Sequence, residues 1–319
     1  MKLKLDLSNN RLTSLSPEFT RFRGLKELYI GGNALITTGI PDHVVRQLLQ
    51  HNDITSIGIG SYELLKKVLK YKRNTIENLY LDGMTETRFE PGIIVKGDNS
   101  TLKLLQVDSC MFEDFSELLC NVDIENFRVL RCRHVHDTTL QGCQQNITTG
   151  LSILDCGTTD ALDPSAFYSA PVTSFQLSGR QNQHVPSSML KHWPNITSID
   201  IAYTQIQRIE KEDFEGFAEL QVLYLSDNHN INFVDDEAFN TNLKLERLYL
   251  QSATLDHPPY SIKNLTHLMD MVLPEMTCSC STMGALKGGN YSSARGYCKN
   301  GYPYQSIREY LQNDLNSCP

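Results

Sequence analysis

Leu220-Gln221-Val222-Leu223-Tyr224-Leu225-Ser226-Asp227-Asn228 decides how this chain folds. Leucines one, four and six places along are followed by an asparagine at place nine. The same spacing returns in Leu25-Lys26-Glu27-Leu28-Tyr29-Ile30-Gly31-Gly32-Asn33-Ala34-Leu35. Alternating apolar residues predict a strand with one face inward. Strand centres follow at Leu5/Leu7, Leu28/Ile30, Ile57/Ile59, Leu79/Leu81, Leu105/Val107, Leu130/Cys132, Leu154/Cys156, Phe175/Leu177, Ile199/Ile201, Leu223/Leu225, Leu248/Leu250 and Met271/Leu273. Their mean spacing is about 24 residues, with steps of roughly 21 to 29, so the chain is one unit repeated. No single unit can bury its apolar side alone, and stacking neighbours buries a continuous core.

Residues off the strands obey the same period. Asn10, Asn33 and Asn228 fall where the chain leaves a strand, and there an amide can bond backbone groups of neighbouring turns. Cys110, Thr159, Thr204 and Ala253 hold that slot elsewhere. Phe19, Phe89, Phe167, Phe214 and Phe239 recur on the return path and are expected to fill the far side of the core.

This pattern resembles the leucine-rich repeat, and the resemblance covers nearly the whole chain. It implies an α/β solenoid: a horseshoe with a parallel concave sheet of about twelve strands. The expected division is a repeat solenoid over 1–274 and a cysteine-rich cap over 275–319. Such a concave sheet is a binding surface, so recognition is expected rather than catalysis. No GxSxG, HExxH or phosphate-cradling glycine loop occurs, and no cofactor is expected.

Composition narrows the partners. Over 319 residues the formal net charge is −8, which argues against nucleic acid or an anionic membrane as the main partner. No run of 18 apolar residues is present to span a bilayer. Cys278-Ser279-Cys280 is followed by Cys298 and Cys318. Four cysteines allow three connectivities, and a zinc site competes, although paired CxxC ligands are missing.

The CxC…C…C tail is similar to the C-terminal cap of extracellular leucine-rich-repeat proteins, and by that resemblance the pairs are Cys278–Cys298 and Cys280–Cys318. The tryptophan often found early in such a cap is missing, with Met283 and Leu286 offered in its place. Of the other five, Cys110, Cys132 and Cys156 read as small buried hydrophobes. Cys132 and Cys156 are near enough in adjacent repeats to bond, and Cys120 and Cys143 lie on equivalent return loops where a bridge is plausible. Sequons at Asn99, Asn146, Asn195, Asn264 and Asn290 point to a secretory route, with none of the five at an inward strand position. A strand begins almost at Met1, with neither leader nor N-terminal cysteine cap before it. The chain is therefore expected to be a piece of a longer ectodomain.

Two patches on the outer strand face are candidate ligand sites. The first is Leu104, Val129 and Ile153 with Gln106, Arg131 and Asp155, read as exposed aliphatics flanked by polar groups. A charge ladder there would set Arg131 beside Asp155 and Asp108 beside Arg133. The second is Tyr203, Tyr224, Tyr249, Arg247 and Gln251, residue types that combine buried area with directional hydrogen bonds. His134 and His136 beside Cys132 lack a further ligand with metal spacing, so no metal is expected.

Among extracellular relatives, the uneven repeats are most similar to Toll-like receptor ectodomains. That implies immune recognition of a protein or glycoconjugate, with dimerisation on ligand binding. A secreted matrix or cell-adhesion protein is the alternative, and a cytosolic inhibitor-like repeat protein is a third class, requiring reduced cysteines and no sugars.

Overall fold

A computed structural model describes residues 3–34, 40–72, 74–85, 89–90, 92–94, 101–109, 116–119, 122–132, 145–156, 171–289, 291–300 and 305–318. Two compact units divide the chain, Met1–Pro171 and Val172–Pro319.

In the first unit seven strands pair in parallel, each with the next: β1 (Leu3–Asp6), β2 (Leu25–Tyr29), β3 (Ser56–Ile59), β4 (Asn78–Asp82), β5 (Leu102–Asp108), β6 (Val122–Leu130) and β7 (Gln145–Leu154). Among the described residues three return paths carry α-helix, the long α1 (Asp42–Gln50) and α2 (Tyr62–Lys72) and the single turn α3 (Ser116–Leu119). Leu64, Leu65, Val68 and Leu69 lie one turn apart on α2 and form a single buried stripe. With Val44, Val45, Leu48 and Leu49 of α1 they close over Leu28, Ile30 and Ile57 from the strands. The longest strand-to-strand step, Leu28 to Ile57, is the one that holds α1.

The second unit carries β8 (Ser174–Ser178), β9 (Ser198–Ala202), β11 (Val222–Tyr224), β13 (Arg247–Tyr249), β14 (Asp270–Val272) and β15 (Ala294–Arg295), again parallel and in this order. Its return paths are short turns and single helical turns such as Ser187–Leu190, and two of them pair as β10 (Arg208–Ile209) and β12 (Phe233–Val234). Leu223, Leu225, Leu248 and Leu250 point inward without exposure. Full burial of a leucine stabilises by about 1.5–3 kcal/mol. Phe214 and Phe239 lie 6.1 Å apart at the back of this core, and Trp193 packs 5.9 Å from Phe175. Phe89 is buried as expected, whereas Phe19 is only half-buried beside Phe22.

Register corrects the expected strand centres in two repeats. Leu105 pairs with Phe127 and Phe127 in turn with Leu151, while Val107 pairs with Val129 and Val129 with Ile153. The inward pairs are thus Phe127/Val129 and Leu151/Ile153, three residues before Leu130/Cys132 and Leu154/Cys156. Burying a phenylalanine and three branched aliphatics removes more apolar area from water than burying two leucines and two cysteines. Both registers alternate apolar and polar residues, so alternation alone could not separate them. Cys132 and Cys156 consequently occupy the asparagine slot, not an inward strand position.

The slot itself has a clear geometry. Asn228 donates to the Ile201 and Leu225 carbonyls at 2.7 and 3.0 Å and accepts from the Thr204 N–H and hydroxyl at 2.9 and 2.8 Å. Cys156 copies this pattern with sulfur, accepting from the Cys132 N–H at 3.4 Å and approaching the Val129 carbonyl at 3.6 Å. The residue before the slot turns left-handed in eight repeats: Asn9, Gly32, Gly83, Ser109, Arg131, Asp155, Tyr203 and Asp227 have φ between 50° and 69°. In several this turn carries the ladder one bond further, as where the Arg131 N–H reaches the Leu154 carbonyl at 2.9 Å. Other buried amides brace the return side. Asn52 links Leu25, Phe22 and Leu48, and Asn242 donates to the Phe214 and Phe217 carbonyls.

Disulfides join Cys278 to Cys298 and Cys280 to Cys318, the pairs the resemblance implied. Met283 and Leu286 are fully buried beside them. The closing segment also extends the sheet, because β15 lies within it and pairs with β14. Cys132 is disulfide-bonded, which corrects its reading as a simple buried hydrophobe, and its partner lies outside the described residues. Cys156 is a free, buried thiol, so the two are not bonded to each other. Cys110, Cys120, Cys143, Arg133, His134, His136, Thr159, Phe167, Asn99 and Asn290 also lie outside the described residues. No helix among the described residues is long and apolar enough to cross a membrane.

Candidate functional site

The first predicted patch does not form as read. Val129 and Ile153 are 0% and 2% exposed and belong to the core, as the register requires. Leu104 and Gln106 are half-buried on the outer face, where the register adds Arg128 opposite Gln106. Arg131 and Asp155 sit at the left-handed turns beyond the strands.

Charge near those turns is organised around Asp108. Arg131 grips its carboxylate with two nitrogens, at 2.8 and 2.5 Å, and the Asp155 charge expected beside it acts on the same guanidinium. Bidentate geometry of this kind is the strong form of a charge-assisted bond. Asp82 lies next to Asp108 in register. Burial first, then the Asp108 charge, lifts the Asp82 carboxyl above its ordinary range, against the pull of Arg131. Backbone is close here, since a Cβ on Gly60 would fall 2.6 Å from the Asp82 carbonyl oxygen.

The second patch comes together in the second unit. Tyr224 and Tyr249 are register partners and their rings stack at 4.4 Å with 28° between planes. The Tyr249 hydroxyl donates to Asp270 at 2.5 Å, and Arg295 donates to both oxygens of the same carboxylate at 2.8 Å. Burial pushes the Asp270 carboxyl up, but the bonds from Tyr249 and Arg295 and the charges of Arg295 and Arg247 outweigh it, holding it below its usual value. That same bond to Asp270 is the main reason the Tyr249 phenol is pushed up to about 12. Arg247 and Gln251 are exposed on the same repeat.

Tyr203 is 60% exposed at φ +54°. The neighbouring Asp227 charge, and a hydrogen bond to it, raise its phenol above the ordinary value. A second aromatic cluster escaped the sequence reading. In the first unit Tyr29 and Tyr80 meet edge-to-face at 5.3 Å across Gly58, whose missing Cβ would lie 2.8 Å from the Tyr29 ring. Glycine between two tyrosines on one ladder was the available signal. Asp270 and Arg295, within the short strands β14 and β15, and Met269 just before β14 were also missed, because the leucine pattern is weakest there.

Of the expected glycan acceptors, Asn195 and Asn264 are exposed, and Asn146 falls within β7.

Comparison with known proteins agrees with this architecture. Leucine-rich-repeat family models match residues 170–229 and 3–22. No curated protein sequence matches the chain. Among solved structures, an internalin (InlF) from Listeria monocytogenes is similar at 15% identity, with a TM-score of 0.50 over 92% of this chain and 86% of its own. TLR13 in its complex with ssRNA13 is similar at 16% identity and a TM-score of 0.50, over 91% of this chain but 48% of its own. At that identity the likeness is one of fold. Repeat spacing, parallel ladder, matched family models and paired cysteines after the last full repeats make this a leucine-rich-repeat chain with C-terminal disulfides.

Proposed function

We propose that the chain is a non-enzymatic extracellular recognition module that binds a protein or glycoconjugate on its open strand face. Residues 1–274 supply the repeats and 275–319 the cap, and the uneven repeats favour immune recognition of the Toll-like kind. Two disulfides and exposed sequon asparagines suit a secretory, oxidising route.

One observation carries the reading. Tyr203 holds a left-handed turn that glycine fills in two repeats and a polar or charged residue in five, and it alone of the eight sets an aromatic ring there, 60% exposed. A left-handed conformation costs a side-chain-bearing residue about 1–2 kcal/mol. A bulky residue kept there at that cost marks a surface held for contact. With the Tyr224–Tyr249 stack and Arg247 it forms an anchor of the residue types that dominate binding hot spots.

The secreted chain, immobilised and probed with arrays of extracellular proteins and glycans, tests this. Tyr203→Gly is expected to keep or raise thermal stability while weakening the partner about tenfold or more, within the range of hot-spot truncations. Unchanged binding by Tyr203→Gly and by Tyr249→Ala would remove the assignment.

A further inference from the structure

Beside the tyrosine stack, the end of the second unit holds a feature that repeat packing does not require. Arg247 of β13, Arg295 of β15 and Arg308 of the closing segment line one open groove of about 590 Å³, together with Tyr249, Met269 and Asp270. The three guanidiniums are not used alike. Arg295 is committed to Asp270, whose carboxylate also accepts from Tyr249. Asp270 is the one carboxylate among the described residues lining the groove. Arg247 and Arg308 form no ion pair with any described carboxylate, and both are exposed. The groove is therefore positive on a chain whose formal net charge is −8. Against that charge stands an apolar element: Met269 is 60% exposed at the groove, which the Tyr249 side chain also lines. An exposed methionine is a flexible, polarizable surface suited to varied apolar contacts.

We propose that this groove takes an acidic segment of a protein partner. Arg247 and Arg308 grip its carboxylate, and Met269 with Tyr249 takes the apolar side chain beside it. Arginine forks match carboxylates two bonds at a time, and at this site the Arg295 guanidinium already holds both oxygens of a carboxylate, through one of its nitrogens. A sulfated glycan would use the charge alone and would leave Met269 without a role. The proposal rests on the strand-face reading above and names the chemistry of the partner.

Fluorescence anisotropy with a labelled peptide of alternating glutamate and leucine tests it. A glutamine–leucine peptide and a heparin hexasaccharide serve as the competing probes, all at physiological ionic strength. The glutamate peptide is expected to bind most tightly. Arg247→Ala and Arg308→Ala should each weaken it at least fivefold, with Arg308→Lys recovering only part, and melting curves unchanged. No glutamate-peptide binding, equal binding of the glutamine peptide, tighter binding of heparin, or arginine variants that bind like the parent protein would each overturn it. Tyr203 lies outside the groove and separates the two readings. A partner that needs Tyr203 but neither arginine sinks the groove alone, and one that needs none of them sinks the strand face as well.

Discussion

Cys156 stands where Asn228 stands three repeats later, and it makes the same contacts with a weaker group. Burial raises its thiol to about 11, so at neutral pH it is protonated, and thiolate is the reactive form. Iodoacetamide at pH 7.5 should leave Cys156 unlabelled in the folded protein and label it once urea unfolds the chain. Fast labelling of native protein would contradict the buried slot. Asp82 makes the opposite kind of prediction. Its folded-state pKa is raised, so folded protein binds the proton more tightly than unfolded, and stability falls as pH climbs from the ordinary carboxyl value through the raised one. Asp82→Asn should therefore stabilise the protein at pH 7, by roughly 1–2 °C in melting temperature. The gain should vanish on acidification below the ordinary carboxyl range. A variant less stable than the parent at pH 7 would show that the carboxylate is needed in its charged form.

The regular repeat is a strand, a left-handed turn and, where asparagine holds the slot, an amide that ties the turn to its neighbour. Asn228 makes four such bonds without solvent contact. Its loss strands buried donors and acceptors, each costing about 1–3 kcal/mol. Asn228→Ala should thus lower unfolding stability by roughly 3 kcal/mol, read in urea by the fluorescence of Trp193, the chain's single tryptophan. A loss near zero would mean that water replaces the amide. The amide ladder, most inward pairs and the capping cysteines were legible because a leucine or asparagine at fixed spacing has one physical use. Two registers were misread where cysteine replaced asparagine, since cysteine is as much a small hydrophobe as a slot residue. That error turned Val129 and Ile153 outward on paper and produced an aliphatic patch that the core has absorbed. The tyrosine patch was legible because Tyr224 and Tyr249 share one template position. Arg295 shares it too, two strands on through Val272, whereas Met269 and Arg308 lie off the paired strands and only the fold brings them beside the tyrosines.

Across the molecule, the charge is acidic, the cores are built from the same inward pairs, and covalent closure is confined among the described residues to Cys132 and the C-terminal segment. The Cys280–Cys318 bridge closes a sequence separation of 38 residues. Replacing both cysteines by serine should destabilise the protein by about 2–5 kcal/mol, as for small disulfide-closed segments. The Trp193 unfolding curve reads this loss, and an unshifted midpoint would mean the last repeats hold without covalent closure. The central claim is that the open strand face of the second unit receives a protein or glycoconjugate. Hydroxyl-radical footprinting of the chain with an array-identified partner tests it most directly. Tyr203, Tyr249 and Met269 should lose oxidation on binding, while Tyr260, exposed on the return side, should not. Protection of Tyr260 with Tyr203 and Tyr249 unchanged would place recognition on the opposite side of the repeats and contradict the account.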